Sequence, residues 1–157
     1  MVERKETMNH FPSELHAMIR HLRDGTGGPN GRIFVLQGNG SNGKTCLLNT
    51  IQHFWTFRRV DPRIPEDWSP LLQDANMKGF IVNELPENLD TVRDLFRTSD
   101  KYLLIETNLP PRGDDLAGIN LVHLPVEFVT YPPYGGMRIQ RQRPVDLTPV
   151  IQEILTE

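Results

Sequence analysis

The sequence predicts an α/β fold, a three-layer sandwich whose mostly parallel central sheet is covered by helices on both faces. Three observations predict it. Ile33-Phe34-Val35-Leu36, Phe80-Ile81-Val82 and Tyr102-Leu103-Leu104-Ile105 are unbroken apolar runs, the pattern of strands buried on both faces. Stretches of helical periodicity separate them, and strands alternating with helices argue for parallel pairing. The first run opens directly into the glycine-rich stretch GNGSNGKT, residues 38–45. A helical pattern with Leu47, Leu48, Ile51, Phe54, Trp55 and Phe57 follows it.

Residues 1–12 are polar and expected to be loosely ordered. Ser13 can cap a helix to about residue 23, with Leu15, Met18, Ile19 and Leu22 on one face. His16 and His21 fall on its polar side. They are five apart, not the i, i+4 spacing of a helical metal pair, and read as solvated surface. The glycine-rich residues 24–31 form a connection. The helix after GNGSNGKT is expected to run to about residue 58. Residues 60–65 read as a proline-broken loop, and Ser69-Pro70 as the cap and first residue of a short helix to about residue 77. Gly79 reads as a turn into the strand FIVNE, residues 80–84. A short helix fits residues 89–96, and the run from Tyr102 extends into Glu106-Thr107-Asn108. Residues 121–124 and 126–129 are further strand candidates, and Thr148-Pro149 opens a last helix with Val150, Ile151, Ile154 and Leu155.

The 157 residues suit one domain, 1–157, able to bury a core without staples. The net charge of −3 and pI near 5.9 give no global basic charge, so nucleic-acid contact would need a local patch. A single cysteine, Cys46, excludes a disulfide framework and points to a reducing compartment. No run approaches the ~18 apolar residues of a membrane span. The first residues lack the apolar core of a signal peptide. A soluble, intracellular protein with no membrane partner is expected.

GNGSNGKT fits the phosphate-loop pattern G-x-x-x-x-G-K-[ST], in the strand–turn–helix context that pattern requires. Gly38, Gly40 and Gly43 permit backbone angles that a Cβ resists. Backbone N–H groups of Gly40, Ser41, Asn42, Gly43, Lys44 and Thr45 can then cradle phosphate oxygens at a helix N-terminus. Asn39 and Cys46 complete the nucleotide-facing stretch, Cys46 as a small packing residue in the first helical turn. Lys44 would reach the β- and γ-phosphates, and the Thr45 hydroxyl would sit on Mg²⁺. In open parallel sheets ligands bind beyond the carboxyl ends of the strands. Two further polar groups are expected there. Glu84 could hold a metal through water or polarise an attacking water, and Asn108 could hold a γ-phosphate and orient that water. Asn83 stands where many nucleotide hydrolases place a metal-binding Asp.

The order GNGSNGKT, KGFIVNE, KYLLIETNLPP, LPVEF resembles the superfamily-3 helicases of DNA viruses and phages. The variant most similar is the ATPase domain of poxvirus-type primase-helicases. The resemblance spans roughly residues 14–155. Its most specific pieces are Asn42-Gly43-Lys44, the pair Asn108 and Pro110, and the tail PVEFVTYPP…RPVDLTPVIQEI. It implies an AAA+-like P-loop NTPase core that hydrolyses ATP with Mg²⁺ at the subunit interfaces of a homo-oligomeric ring. Single-stranded DNA is the implied track, and host cytoplasm or nucleus the implied location if the source is viral. By position, Lys44 and Thr45 become the phosphate and Mg²⁺ contacts, Glu84 the Walker B carboxylate and Asn108 the sensor.

The sequence also departs from that family. An arginine pair is expected just before residues 121–124, and Ile119-Asn120 stands there; Arg112 is a nearby substitute. An arginine finger is worth roughly 10³–10⁵ in rate, so slow hydrolysis is expected without one. Only seventeen residues separate Glu84 from Tyr102, where the family carries a DNA-touching hairpin. Arg93, Arg97 and Lys101 lie in that segment among Glu87, Asp90, Asp94 and Asp100, and read as a solvated mixed-charge surface. No primase domain and no substantial N-terminal oligomerisation domain is expected in the sequence, as for a reduced family member or one whose partner domains lie on other polypeptides. Arg138, Arg141 and Arg143, near Tyr131 and Tyr134, are the candidate nucleic-acid patch, single-stranded DNA included, against the commoner reading of solvated arginines or arginines bound to acidic neighbours in a ring. Two rival classes remain: a non-hydrolysing nucleotide-binding module of ring assembly, and a small P-loop kinase, which the size suits but which lacks an arginine-rich lid segment.

Overall fold

The computed structural model describes residues 13–27, 30–38, 44–108, 119–123 and 147–157. Among the described residues the four helices are α1 (Ser13–Asp24), α2 (Lys44–Phe54), α3 (Leu89–Phe96) and α4 (Thr148–Leu155), and the five strands are β1 (Ile33–Gln37), β2 (Phe57–Arg59), β3 (Gly79–Asn83), β4 (Tyr102–Thr107) and β5 (Asn120–His123). They form one sheet in the order β2-β3-β4-β1-β5, with every pairing parallel. The fold is α/β, as expected from the unbroken apolar runs.

Each central strand supplies side chains to two layers, because successive residues point to opposite faces. Phe34, Leu36, Ile81, Tyr102 and Leu104 pack with α1, α2 and α4. Ile33, Val35, Phe80, Val82, Leu103 and Ile105 pack with α3 and the 3-10 segment Pro65–Gln73, through Val92, Phe96 and Trp68. Fully burying each such side chain stabilises by about 1.5–3 kcal/mol. The expected three layers therefore exist among the described residues. α1 and α4 form as expected, and α3 also gains a cap, since Asn88 Oδ1 accepts from the Thr91 N–H at 3.1 Å.

Several boundaries differ. The helix after the glycine-rich stretch stops at Phe54, and Phe57 to Arg59 is an edge strand instead of a last helical turn. Phe57 is buried by the sheet core, while Arg58 and Arg59 are exposed, so a three-residue strand offers no alternation to read. The helix expected from Ser69 is a 3-10 segment that starts at Pro65. Pro65 and Pro70 lack N–H donors, which limits an α ladder, and buried Trp68 anchors the segment by donating Nε1–H to the Asp61 carbonyl at 3.1 Å. The expected strand at 126–129 lies outside the described residues. His16 and His21 are not simply solvated. His16 Nε2 lies 3.0 Å from Glu157 Oε2, and His21 Nδ1 lies 2.7 Å from Thr26 Oγ1.

Tyr102 ties the amino end of β4 to α1. Its hydroxyl faces the carbonyls of His21 (2.8 Å) and Thr26 (2.6 Å), and its ring carries Arg32 at 5.0 Å and Lys78 at 5.3 Å. Burial pushes the Tyr102 pKa up and the Lys78 pKa down. Among the described residues no helix is long and apolar enough to cross a membrane.

Gly79 is not a turn residue but the first residue of β3. A Cβ there would fall on the Tyr102 carbonyl and within 2.7 Å of Phe57 Cε1. Gly79→Ala is expected to cost about 3 kcal/mol, the upper end of overpacking penalties, read as a lower urea midpoint.

Arg63 donates three hydrogen bonds to the Asp61 carboxylate, two from the guanidinium (2.8 and 3.0 Å) and one from its backbone N–H (2.9 Å). These hold the Asp61 pKa at about 2. The folded value lies below the unfolded one, so this stabilisation is present above about pH 4 and lost as pH falls through about 2. Arg63 is largely exposed, which keeps the effect small. A carboxyl titration followed by NMR should place Asp61 near 2 and move it upward in Arg63→Ala.

Candidate functional site

The strand order decides which side chains can meet. β4 lies between β1 and β3, with Gln37 in register with Thr107 and Asn83 with Glu106. The Gly38 N–H donates to the Thr107 carbonyl at 3.2 Å, and the Glu84 N–H to the Glu106 carbonyl at 2.7 Å. The chain leaving β1 and the chain leaving β3 are thus both fastened to β4 at the same level. With neighbouring strands about 4.8 Å apart, the two exits lie about 10 Å from each other, with Asn108 between them.

Glu84, Asn83 and Asn108 are exposed at this edge, and so is Thr45 in the first turn of α2. Lys44 opens α2, so the end of the helix carrying the positive dipole lies at the same edge as β1's exit. Gly38 is buried, with its N–H bonded to β4. Asn39, Gly40, Ser41, Asn42 and Gly43 lie outside the described residues, as do the side chains of Lys44 and Cys46. Glu84 has φ +79°, the single non-glycine positive φ among the described residues. Holding a residue with a Cβ in the left-handed region costs roughly 1–2 kcal/mol, and such strain concentrates at functional sites.

Three residues at this edge were not singled out by sequence reasoning. Arg59 Nη1 donates to Asn83 Oδ1 at 3.3 Å and lies 3.7 Å from Glu106 Oε1, while Nη2 donates to Asn49 Oδ1 at 3.2 Å. Asn49 follows Thr45 by four residues, one turn along the same face of α2. Glu106 is nearly buried, 11% exposed, and its Oε2 is buried with no hydrogen-bond partner. Period-2 counting from Leu104 puts Glu106 on the α2 face, a signal present in the sequence. Arg59 carried none, because its strand was read as helix.

The basic candidates lie elsewhere. Arg93 pairs with Asp90 (3.2 Å), Arg97 with Asp94 (3.0 Å) and Lys101 with Asp100 (3.7 Å). Lys101 is buried and precedes β4, at the amino edge of the sheet, so the solvated reading fails for that residue. Ile119 is buried in the core, and Asn120 Nδ2–H donates to the Gly31 carbonyl at 3.0 Å. Asn120 pairs with Phe34, three residues short of Gln37, about 10 Å below the carboxyl edge. Arg112, Tyr131, Tyr134, Arg138, Arg141 and Arg143 lie outside the described residues.

Among the described residues no group of three or more His, Cys, Asp or Glu could hold a metal ion by itself. Mg²⁺ needs none, since it is usually held by one or two carboxylates together with phosphate and water. The oxygens of Thr45 and Glu84 and the orphaned Oε2 of Glu106 are hard donors of that kind. Two cavities, about 400 Å³ at Gln52–Thr56 and Ala75–Lys78 and about 460 Å³ between the 3-10 segment and the end of α3, both open near the amino edge. No protein-family model matches the chain, and no curated protein matches it.

The strain at Glu84 is measurable apart from any ligand. Glu84→Gly and Glu84→Ala both remove the carboxylate, but only glycine relieves the positive φ. After the entropy glycine adds to the unfolded chain, Glu84→Gly is expected to be about 0.5–1 kcal/mol more stable than Glu84→Ala in chemical denaturation.

Proposed function

We propose that this chain is a P-loop NTPase of AAA+-like type, an Mg²⁺-dependent ATPase resembling superfamily-3 helicases and acting in viral-like DNA replication. One observation carries the reading. The exits of the strands before GNGSNGKT, before Glu84 and before Asn108 are adjacent and fastened at one level by β4. The motif alone supports phosphate binding; the neighbouring carboxylate and amide support hydrolysis.

In this reading the loop N–H groups and Lys44 bind and orient the triphosphate. Glu84 accepts a hydrogen bond, and then the proton, from the attacking water. Asn108 holds a γ-phosphate oxygen and the same water, so that water attacks in line and ADP leaves. Mg²⁺, held by Thr45 and through Glu84, would neutralise phosphate charge when bound. A ring of identical subunits would complete the site, and single-stranded DNA would be its track.

A second reading, nucleotide-driven ring assembly without hydrolysis, is favoured by one specific observation. Ile119 and Asn120 stand where the related family carries arginines, and both are used internally, in the core and on the Gly31 carbonyl.

ATP hydrolysis per subunit, measured against protein concentration with and without single-stranded DNA, tests both. A rate that rises with concentration, is stimulated by DNA and falls at least 100-fold in Lys44→Ala is expected for the ATPase. ATP-dependent assembly with no phosphate release would select the second reading. ATP binding and turnover unchanged in Lys44→Ala would sink both.

A further inference from the structure

Asn83 is neutral at a position where nucleotide hydrolases often use a metal-binding carboxylate. The residue in register with it on the adjacent strand is Glu106. We propose that Glu106 supplies the negative charge that Asn83 lacks, as a second acidic residue for the hard divalent cation accompanying the bound phosphates. This rests on the phosphate-binding reading above.

Four observations carry it. Glu106 and Asn83 follow Leu104 and Ile81 by two residues, so both point to the face covered by α2. Thr45, the hydroxyl expected on the cation, lies one turn of α2 before Asn49, and Asn49 joins Asn83 and Glu106 through Arg59. Glu106 is therefore within the cluster that Arg59 ties to α2 at Asn49, not a solvated strand end. Its Oε2 is buried and has no hydrogen-bond partner.

A carboxylate kept only for structure has its buried oxygens partnered. Arg59 does not complete Glu106. Both of its hydrogen bonds go to neutral side-chain amides, and its approach to Oε1, 3.7 Å, exceeds hydrogen-bond length. The guanidinium offsets part of the charge and leaves one oxygen available. An oxygen-only set of one carboxylate and one hydroxyl suits Mg²⁺ or Mn²⁺ completed by phosphate and water, not a softer metal.

The test is ATP binding by calorimetry in EDTA and across an Mg²⁺ series, with Mn²⁺ binding followed by EPR. Glu106→Gln keeps the side chain's shape and loses no hydrogen bond at Oε2. It is expected to raise the Mg²⁺ or Mn²⁺ concentration for half-maximal cation-dependent ATP binding at least tenfold, with affinity in EDTA unchanged. Asn83→Asp in the Glu106→Gln background, which returns the charge from the neighbouring strand, should restore the requirement to within about threefold of wild type. Asn83→Asp alone should lower it, a result that stands even if Glu106→Gln does not fold. Wild-type cation dependence in Glu106→Gln, or no recovery in the double variant, overturns the proposal alone. Wild-type protein that binds no ATP with or without cation overturns the phosphate-site reading and this proposal with it.

Discussion

β4 is hydrogen-bonded on both sides, to β1 and to β3, and the rest of the carboxyl edge depends on that placement. Were β1 and β3 direct neighbours, Asn108 would lie outside the pair instead of between them. The parallel ladder also fixes level as well as order. A one-residue slip of β4 would turn Leu104 away from α2 and Ile105 toward it, exchanging that strand's contributions to the two hydrophobic layers. Burial on both faces thus sets the register, and the register sets which polar residues leave the sheet together. The site geometry is a by-product of core packing, with no cost of its own until Glu84.

That division explains what could be read from the sequence. The apolar runs of β1, β3 and β4 and the faces of α1, α3 and α4 are visible because burial writes a period into the residues. Phe57 carried the opposite message. One aromatic residue after Phe54 and Trp55 extends a helical pattern, and only pairing with Gly79 shows it to be strand. Pro65 and Trp68 likewise depend on a distant partner, since Trp68 is placed by the core formed with Phe80 and Phe96. Gly79 was visible as a glycine, but its reason, the close approach of Tyr102 and Phe57, is tertiary. At the candidate site the order of motifs identified Glu84 and Asn108. The φ of Glu84 and the cluster of Arg59, Asn49, Asn83 and Glu106 have no local signature, because four elements contribute to it.

Charge is distributed in a way the net value of −3 conceals. The cations of α3 and its end are each matched by an acid within three residues, so the surface they form is close to neutral. The exposed pair Arg97 and Asp94 contributes about 0–1 kcal/mol and is screened by salt. The pairs' effect is to remove that surface as a basic track. Arg59 differs in drawing on three separate elements, with a carboxylate and two amides around it. It lies at the edge where the strands end, while the α3 pairs run toward the opposite edge. Local cancellation therefore prevails along α3, while the carboxyl edge keeps an organised cation, Arg59, beneath α2.

Two energetic liabilities of the described structure lie side by side at the adjoining ends of β3 and β4. Glu84 holds a positive φ, costing roughly 1–2 kcal/mol, and its N–H is bonded to the carbonyl of Glu106. Glu106 in turn keeps a buried oxygen without a partner, a cost of about 1–3 kcal/mol or more for a charged group. Together these are a sizeable part of a domain stability of about 5–15 kcal/mol. The core offers no reason for either, since Val82 and Ile105, the last apolar residues of β3 and β4, are already buried below them. Strain and an orphaned charge persist only where surrounding structure over-determines them. Here that structure is β4, paired with β1 from Leu103 to Thr107 and with β3 from Tyr102 to Glu106. A ligand that bound the free Glu106 oxygen would relieve that cost, while the Glu84 strain is already carried by the free protein and adds nothing to the cost of binding. An edge built this way is poised to bind more tightly than an unstrained one, and its stability should be the part of the fold most sensitive to what occupies it.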